Sequence, residues 1–128
     1  MNDPFAVELE PEVRLWLMNL SRRDYLTVEH VTDRLLADPT NFGEPYSRHL
    51  GDGVRELRFC LGSSRSATRI PYWLAPGRRI VLLTVFRKTR QRENAEVARA
   101  KRVKAQCEAE HGPAHDEFIP DFKEGERR

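Results

Sequence analysis

Cysteine is scarce in this chain: 128 residues contain only Cys60 and Cys107. Two thiols cannot make a disulfide framework, and in a reducing compartment each reads as a small buried hydrophobe. Long apolar runs are missing as well. No stretch approaches the ~20 residues that span a bilayer, so no membrane partner is expected. The opening MNDPFAVELE has neither the basic start nor the apolar core of an export leader, which makes the cytoplasm the expected location. The sequence has no G-x-S-x-G, no phosphate-binding P-loop and no G-x-G-x-x-G, which removes nucleophile-elbow hydrolysis, P-loop chemistry and dinucleotide binding. Cys107, His111 and His115 are spaced by four, but Gly112-Pro113 interrupts the helix that would align them and a fourth ligand is lacking. No metal or other cofactor is therefore expected.

What the chain does have is charge, unevenly placed. The formal net charge of +2 hides a segment, residues 53 to 104, with fourteen Lys or Arg against three acids, Glu56, Glu93 and Glu96. Five cations against ten acids precede it, and three against seven follow. A basic segment of mixed strand and helix pattern between acidic flanks is what a surface that meets phosphates requires. Nucleic acid is the first partner to consider.

The chain is the size of one domain. PFAVELE alternates as a short strand. Pro11 suits the first turn of a helix whose Val13, Trp16, Leu17 and Leu20 share a face. Ser21 and Asp24 form a capping box for a second helix, which Asp38-Pro39 ends. Residues 39 to 53 read as a loop containing His49. VRELRFCL then sends Leu57, Phe59 and Leu61 toward the helices, with Arg55 on that face and Val54, Glu56, Arg58 and Cys60 on the other. After a turn at 62–64, SATRIPYWLA is a second strand, with Pro71 at an edge or bulge. RRIVLLTVF, apolar on both faces, is a buried central strand that emerges at Arg87 and Lys88. Glu93 to Glu110 is helical, with a thin stripe at Val97, Ala100, Val103 and Cys107. The expected fold is an α+β domain over residues 1–112, a small antiparallel sheet with an N-terminal helical hairpin and a C-terminal helix, the helices on one face. Residues 113–128 follow as a flexible tail.

Four stretches carry a family likeness: Gly53-Val54-Arg55-Glu56-Leu57-Arg58, Arg69-Ile70-Pro71-Tyr72, Phe86-Arg87-Lys88-Thr89 and Glu96-Val97-Ala98-Arg99-Ala100-Lys101-Arg102. In order and spacing they resemble the RelE/HigB-type toxins of bacterial type II toxin–antitoxin systems, in particular the phage-derived branch, over about residues 5 to 108. The resemblance implies a RelE-like fold and a ribosome-dependent endoribonuclease that cuts mRNA in the ribosomal A site without metal. It implies as partners the ribosome, mRNA and an inhibiting antitoxin of helix-turn-helix type. In such chemistry the 2′-hydroxyl of the RNA attacks the adjacent phosphate, and fixed cations stabilise the charge that develops. The catalytic candidates are Arg58, Arg69 and Lys88, with Arg55, Arg87, Arg90 and Trp73 as RNA-binding residues. Many relatives carry a tyrosine, or a histidine with an aspartate, near the last helix; residues 89 to 104 have none, which leaves the proton acceptor unassigned. Glu56 is the candidate general base, a salt bridge to Arg58 being its other reading. Two further functions stay open: a ParE-like toxin acting on a protein target such as DNA gyrase, and a nucleic-acid-binding module without catalysis.

Overall fold

The structure, a computed structural model, describes residues 5–89 and 93–110 together with the backbone of 116–118. The chain begins with β1 (Ala6–Leu9), followed by α1 (Pro11–Met18), with proline in its first turn. α2 (Arg22–Ala37) opens at Ser21, whose hydroxyl accepts the Asp24 N–H at 3.1 Å. The strands β2 (Ser47–Gly51), β3 (Val54–Leu61), β4 (Ser66–Ala75), β5 (Arg79–Leu82) and β6 (Phe86–Arg87) come next. The chain continues with α3 (Glu93–Glu110) and β7 (Asp116–Phe118).

One sheet runs in the order β2-β3-β4-β5-β1-β7, with β6 paired to β4. From β3 to β5 it is antiparallel as expected, and β2 extends that run; β1 joins β5 in parallel, the pairing that a long crossover connection permits. Four details differ from the sequence reading. Residues 47–51 are an edge strand rather than loop; SRHLG lacks the apolar alternation that announces a strand. The run from Arg78 to Phe86 is two strands, and between them Leu83 donates its N–H to the Pro71 carbonyl at 2.8 Å. The nitrogen of Pro71 faces the same gap and has no N–H to return to Leu83, so the β4–β5 ladder ends at Tyr72 and Leu82, inside the sheet rather than at its edge. Within the expected tail, Asp116–Phe118 pairs antiparallel with β1; the residues on either side lie outside the described part.

The fourth difference places the site. The helices cover both faces, not one. Leu57, Phe59, Leu61, Ile70, Tyr72, Ile80 and Leu82 pack against Val13 and Leu17 of α1 and Val28, Val31 and Leu35 of α2. On the opposite face Val54, Trp73, Ala75, Val81 and Leu83 pack against Ala100 and Cys107 of α3. Fully burying one such aliphatic side chain contributes about 1.5–3 kcal/mol, so even the thin stripe of α3 suffices to seat it. Among the described residues no helix is long and apolar enough to cross a membrane.

Candidate functional site

Strand alternation puts Val54, Glu56 and Arg58 of β3 on the α3 side of the sheet with Arg69, Pro71 and Trp73 of β4. α3 covers the Val54–Trp73 end. The charged residues gather beyond it.

Register then decides which charges meet. Arg58 lies directly opposite Arg69, a like-charge pair that is unfavourable by itself. Glu56 lies opposite Arg48 on its other side. Its Oε2 is 3.8 Å from Arg58 Nε, 3.8 Å from Arg69 Nε and 3.9 Å from Arg48 Nε. One carboxylate thus offsets three guanidiniums, yet at these distances it makes charge contacts rather than hydrogen bonds. Neither oxygen of Glu56 has a hydrogen-bond partner, nor do Arg58 Nε and Arg69 Nε. Glu56 is 0% exposed and Arg69 8%. Burial raises the Glu56 carboxyl above its ordinary value, against the opposing pull of Arg69 and Arg48. Burial, and after it the facing Arg58, lowers the Arg69 guanidinium.

The rim comes from the end of β6 and the start of α3. Lys88 Nζ is 3.6 Å from Glu93 Oε1, and Arg48 Nη2 is 3.5 Å from Glu93 Oε2. Arg48, His49, Leu50, Glu93, Asn94 and Val97 line a hollow of about 390 Å³. The cluster therefore has four cations, Arg48, Arg58, Arg69 and Lys88, and two acids, Glu56 beneath and Glu93 at the rim. A surplus of positive charge over a buried floor suits a phosphodiester.

The other predicted positions fall elsewhere. Arg55 is on the α1–α2 side, where Nη1 donates to the Pro39 carbonyl at 3.1 Å and the Thr40 carbonyl at 3.4 Å, tying down the loop after α2. Trp73 is 7% exposed because α3 lies over it, with Lys104 Nζ 4.7 Å from its ring centroid, so it has no face free to stack on a base. Arg87 is exposed on β6, and Arg90 lies outside the described residues. Glu56, read as a candidate general base, is enclosed beneath the arginines. Its salt bridge to Arg58 is present but shared with two more. Arg48 and Glu93 were missed: the first lies in a strand without apolar alternation, and the second reads as an ordinary first-turn acid of a helix.

Cys107 is buried against α3's side of the sheet, whereas His111 and His115 lie outside the described residues. Among the described residues no group of three or more His, Cys, Asp or Glu is arranged to hold a metal ion.

The sequence matches the family described as phage-derived, Gp49-like protein over residues 15–105. None of the curated proteins matches it. Among solved structures it is similar to the free state of an arginine-to-alanine double mutant of the E. coli toxin RelE. The TM-score is 0.51 at 12% identity, covering 80% of this chain and 98% of that one.

Proposed function

The chain belongs to the phage-derived Gp49-like family and has the fold of a RelE-type toxin, and from that premise we propose that it is a ribosome-dependent mRNA endoribonuclease held in check by an antitoxin. The observation that carries this reading is the arginine cluster over buried Glu56, with Lys88 at its open edge. In the proposed reaction the 2′-hydroxyl attacks the adjacent phosphorus and gives its proton to a base. The bond from phosphorus to the 5′-oxygen breaks, leaving a 2′,3′-cyclic phosphate and a protonated 5′-hydroxyl. Arg58, Arg69 and Lys88 stabilise the charge on the pentacoordinate phosphorus, and Arg48 joins them from β2. Such donors are worth most where water is excluded, which holds for buried Arg69 above Glu56, while Arg48 and Lys88 stand at the open edge. Glu56 holds the guanidiniums, and proton transfer falls to Glu93 at the rim, since His49 is in register with Arg55 and so belongs to the other face of the sheet. An antitoxin partner of helix-turn-helix type completes the proposal.

Mapping mRNA 5′ ends after a brief induction tests it. Wild-type protein is expected to create new ends within codons, and Lys88→Ala to create none. Lys88 is exposed, so that substitution changes stability by no more than about 0.5 kcal/mol and the melting curve serves as control. Growth arrest without new 5′ ends would contradict the proposal and point to a protein target such as DNA gyrase. Neither arrest nor new ends would leave a nucleic-acid-binding module without catalysis.

A further inference from the structure

Two consecutive cations, Arg87 in β6 and Lys88 just after it, serve different sides of the sheet. Arg69 is the register partner of Phe86, and Thr68 the partner of Arg87. Lys88 turns to the cluster, where it meets Glu93, whereas Arg87 lines a separate hollow on the α1–α2 side. Among the described strands β6 pairs only with β4, with the cluster on one face of the sheet beside it and the hollow on the other.

That hollow, about 530 Å³, is lined by the apolar side chains of Trp16, Leu20, Leu61 and Val85, with Phe86 of β6 at its edge. Its rim is polar: Ser63, Ser64 and Ser66 from the β3–β4 turn, Thr68, Asp24 and Arg87. Its size falls in the range of pockets for small ligands. The walls are tied in place, since Asp24 Oδ1 accepts the Gly62 N–H at 3.1 Å while its own N–H donates to Ser21 Oγ at 3.1 Å. A partly buried tryptophan, a row of hydroxyls and one exposed guanidinium are the parts needed by an unpaired nucleotide, whose base stacks and whose phosphate pairs.

We propose that this hollow is a nucleotide subsite, which takes the base of the RNA residue neighbouring the one cut, stacked on Trp16, while Arg87 holds its phosphate. The RNA crosses the β6 edge between Lys88 and Arg87. The inference rests on the reading of this chain as an RNase, and it adds a sequence-sensing contact outside the cleavage centre.

Fluorescence tests it on the full chain. Trp73 is shielded by α3, so quenching by added RNA reports on Trp16. A single-stranded trinucleotide with 2′-O-methyl sugars, which cannot be cleaved, is expected to quench the emission, and inorganic phosphate is not. Arg87→Gln should weaken binding about tenfold. Trp16→Leu, followed through the anisotropy of a labelled trinucleotide, should do the same, with the melting curve checking that α1 still packs. Absence of quenching, or equal affinity in Arg87→Gln, would overturn the subsite. The outcomes separate from those for the RNase reading. Cleavage that needs Lys88 but has the same KM and cut positions in Arg87→Gln would refute the subsite alone. Quenching by a protein that never cuts mRNA would refute the RNase reading and keep the subsite.

Discussion

Glu56 sits where a carboxylate is least comfortable, fully enclosed and without a hydrogen bond, and three arginines depend on it for their arrangement. Burial raises its pKa above the unfolded value, so the charged form costs folding free energy. The cost appears as pH rises from the ordinary carboxylate range through the raised folded value, and is relieved as pH falls back. Glu56→Gln keeps the shape and removes the charge. It is expected to melt at or above the wild-type temperature at neutral pH, with the gap narrowing in acid. Its cleavage rate should nonetheless fall by about ten- to a hundred-fold, because the guanidiniums lose the charge that aligns them. Melting and single-turnover cleavage, followed from acid to neutral pH, check both halves. A Gln variant that is less stable but fully active would assign Glu56 to the fold rather than to the site.

Among the elements, α3 shows best how charge completes what apolar patterning begins. Arg99 donates from Nη2 to Glu12 of α1 at 2.9 Å and from Nε to Glu96 at 3.0 Å, and Glu12 in turn accepts the Val85 N–H at 3.2 Å. The Glu12 carboxylate is the leading reason that the Arg99 pKa is raised. Lys101 reaches Asp52 in the β2–β3 turn at 3.3 Å, and Gly51 (φ 99) beside it leaves room for that side chain. Half-exposed ion pairs of this kind are screened, so Arg99→Ala should cost about 1 kcal/mol, a few degrees of melting temperature, with faster amide exchange confined to α3. Unchanged exchange in α3 would show that its apolar seat alone holds it.

The same helix marks how far the sequence could be read. The periodicity of α1 and α2 and the alternation of β3 and β4 revealed both helices of the hairpin and the face on which Arg58 and Arg69 meet. Period says which residues share a face, however, and not which layer covers it. Trp73 therefore read as an RNA-binding residue although α3 lies over it, and Arg48 read as loop because an edge strand with little to bury has no apolar rhythm. Glu56 was placed correctly beside Arg58; its burial came from the strands on either side, which no local pattern reports.

For the whole molecule, the segregation of charge along the chain becomes a division of surfaces. The basic segment, residues 53 to 104, supplies β3 to β6 and most of α3, and with them Arg58, Arg69 and Lys88 of the cluster and Arg87 of the hollow; the acidic first part adds Arg48 to the cluster and Trp16, Leu20 and Asp24 to the hollow. A concentrated positive field draws RNA from a distance and makes binding steeply salt-dependent, but it does not by itself cut anything. The central claim, that the cluster turns binding into cleavage by way of the RNA's own hydroxyl, is tested most directly on purified ribosomes programmed with a defined mRNA. One message has ribose throughout the A-site codon, and a second has 2′-deoxyribose at the position of attack alone. The account predicts that the first is cut, ending in a 2′,3′-cyclic phosphate, and that the second stays whole while binding equally well. Cleavage of the deoxy-substituted message at the same bond would contradict it.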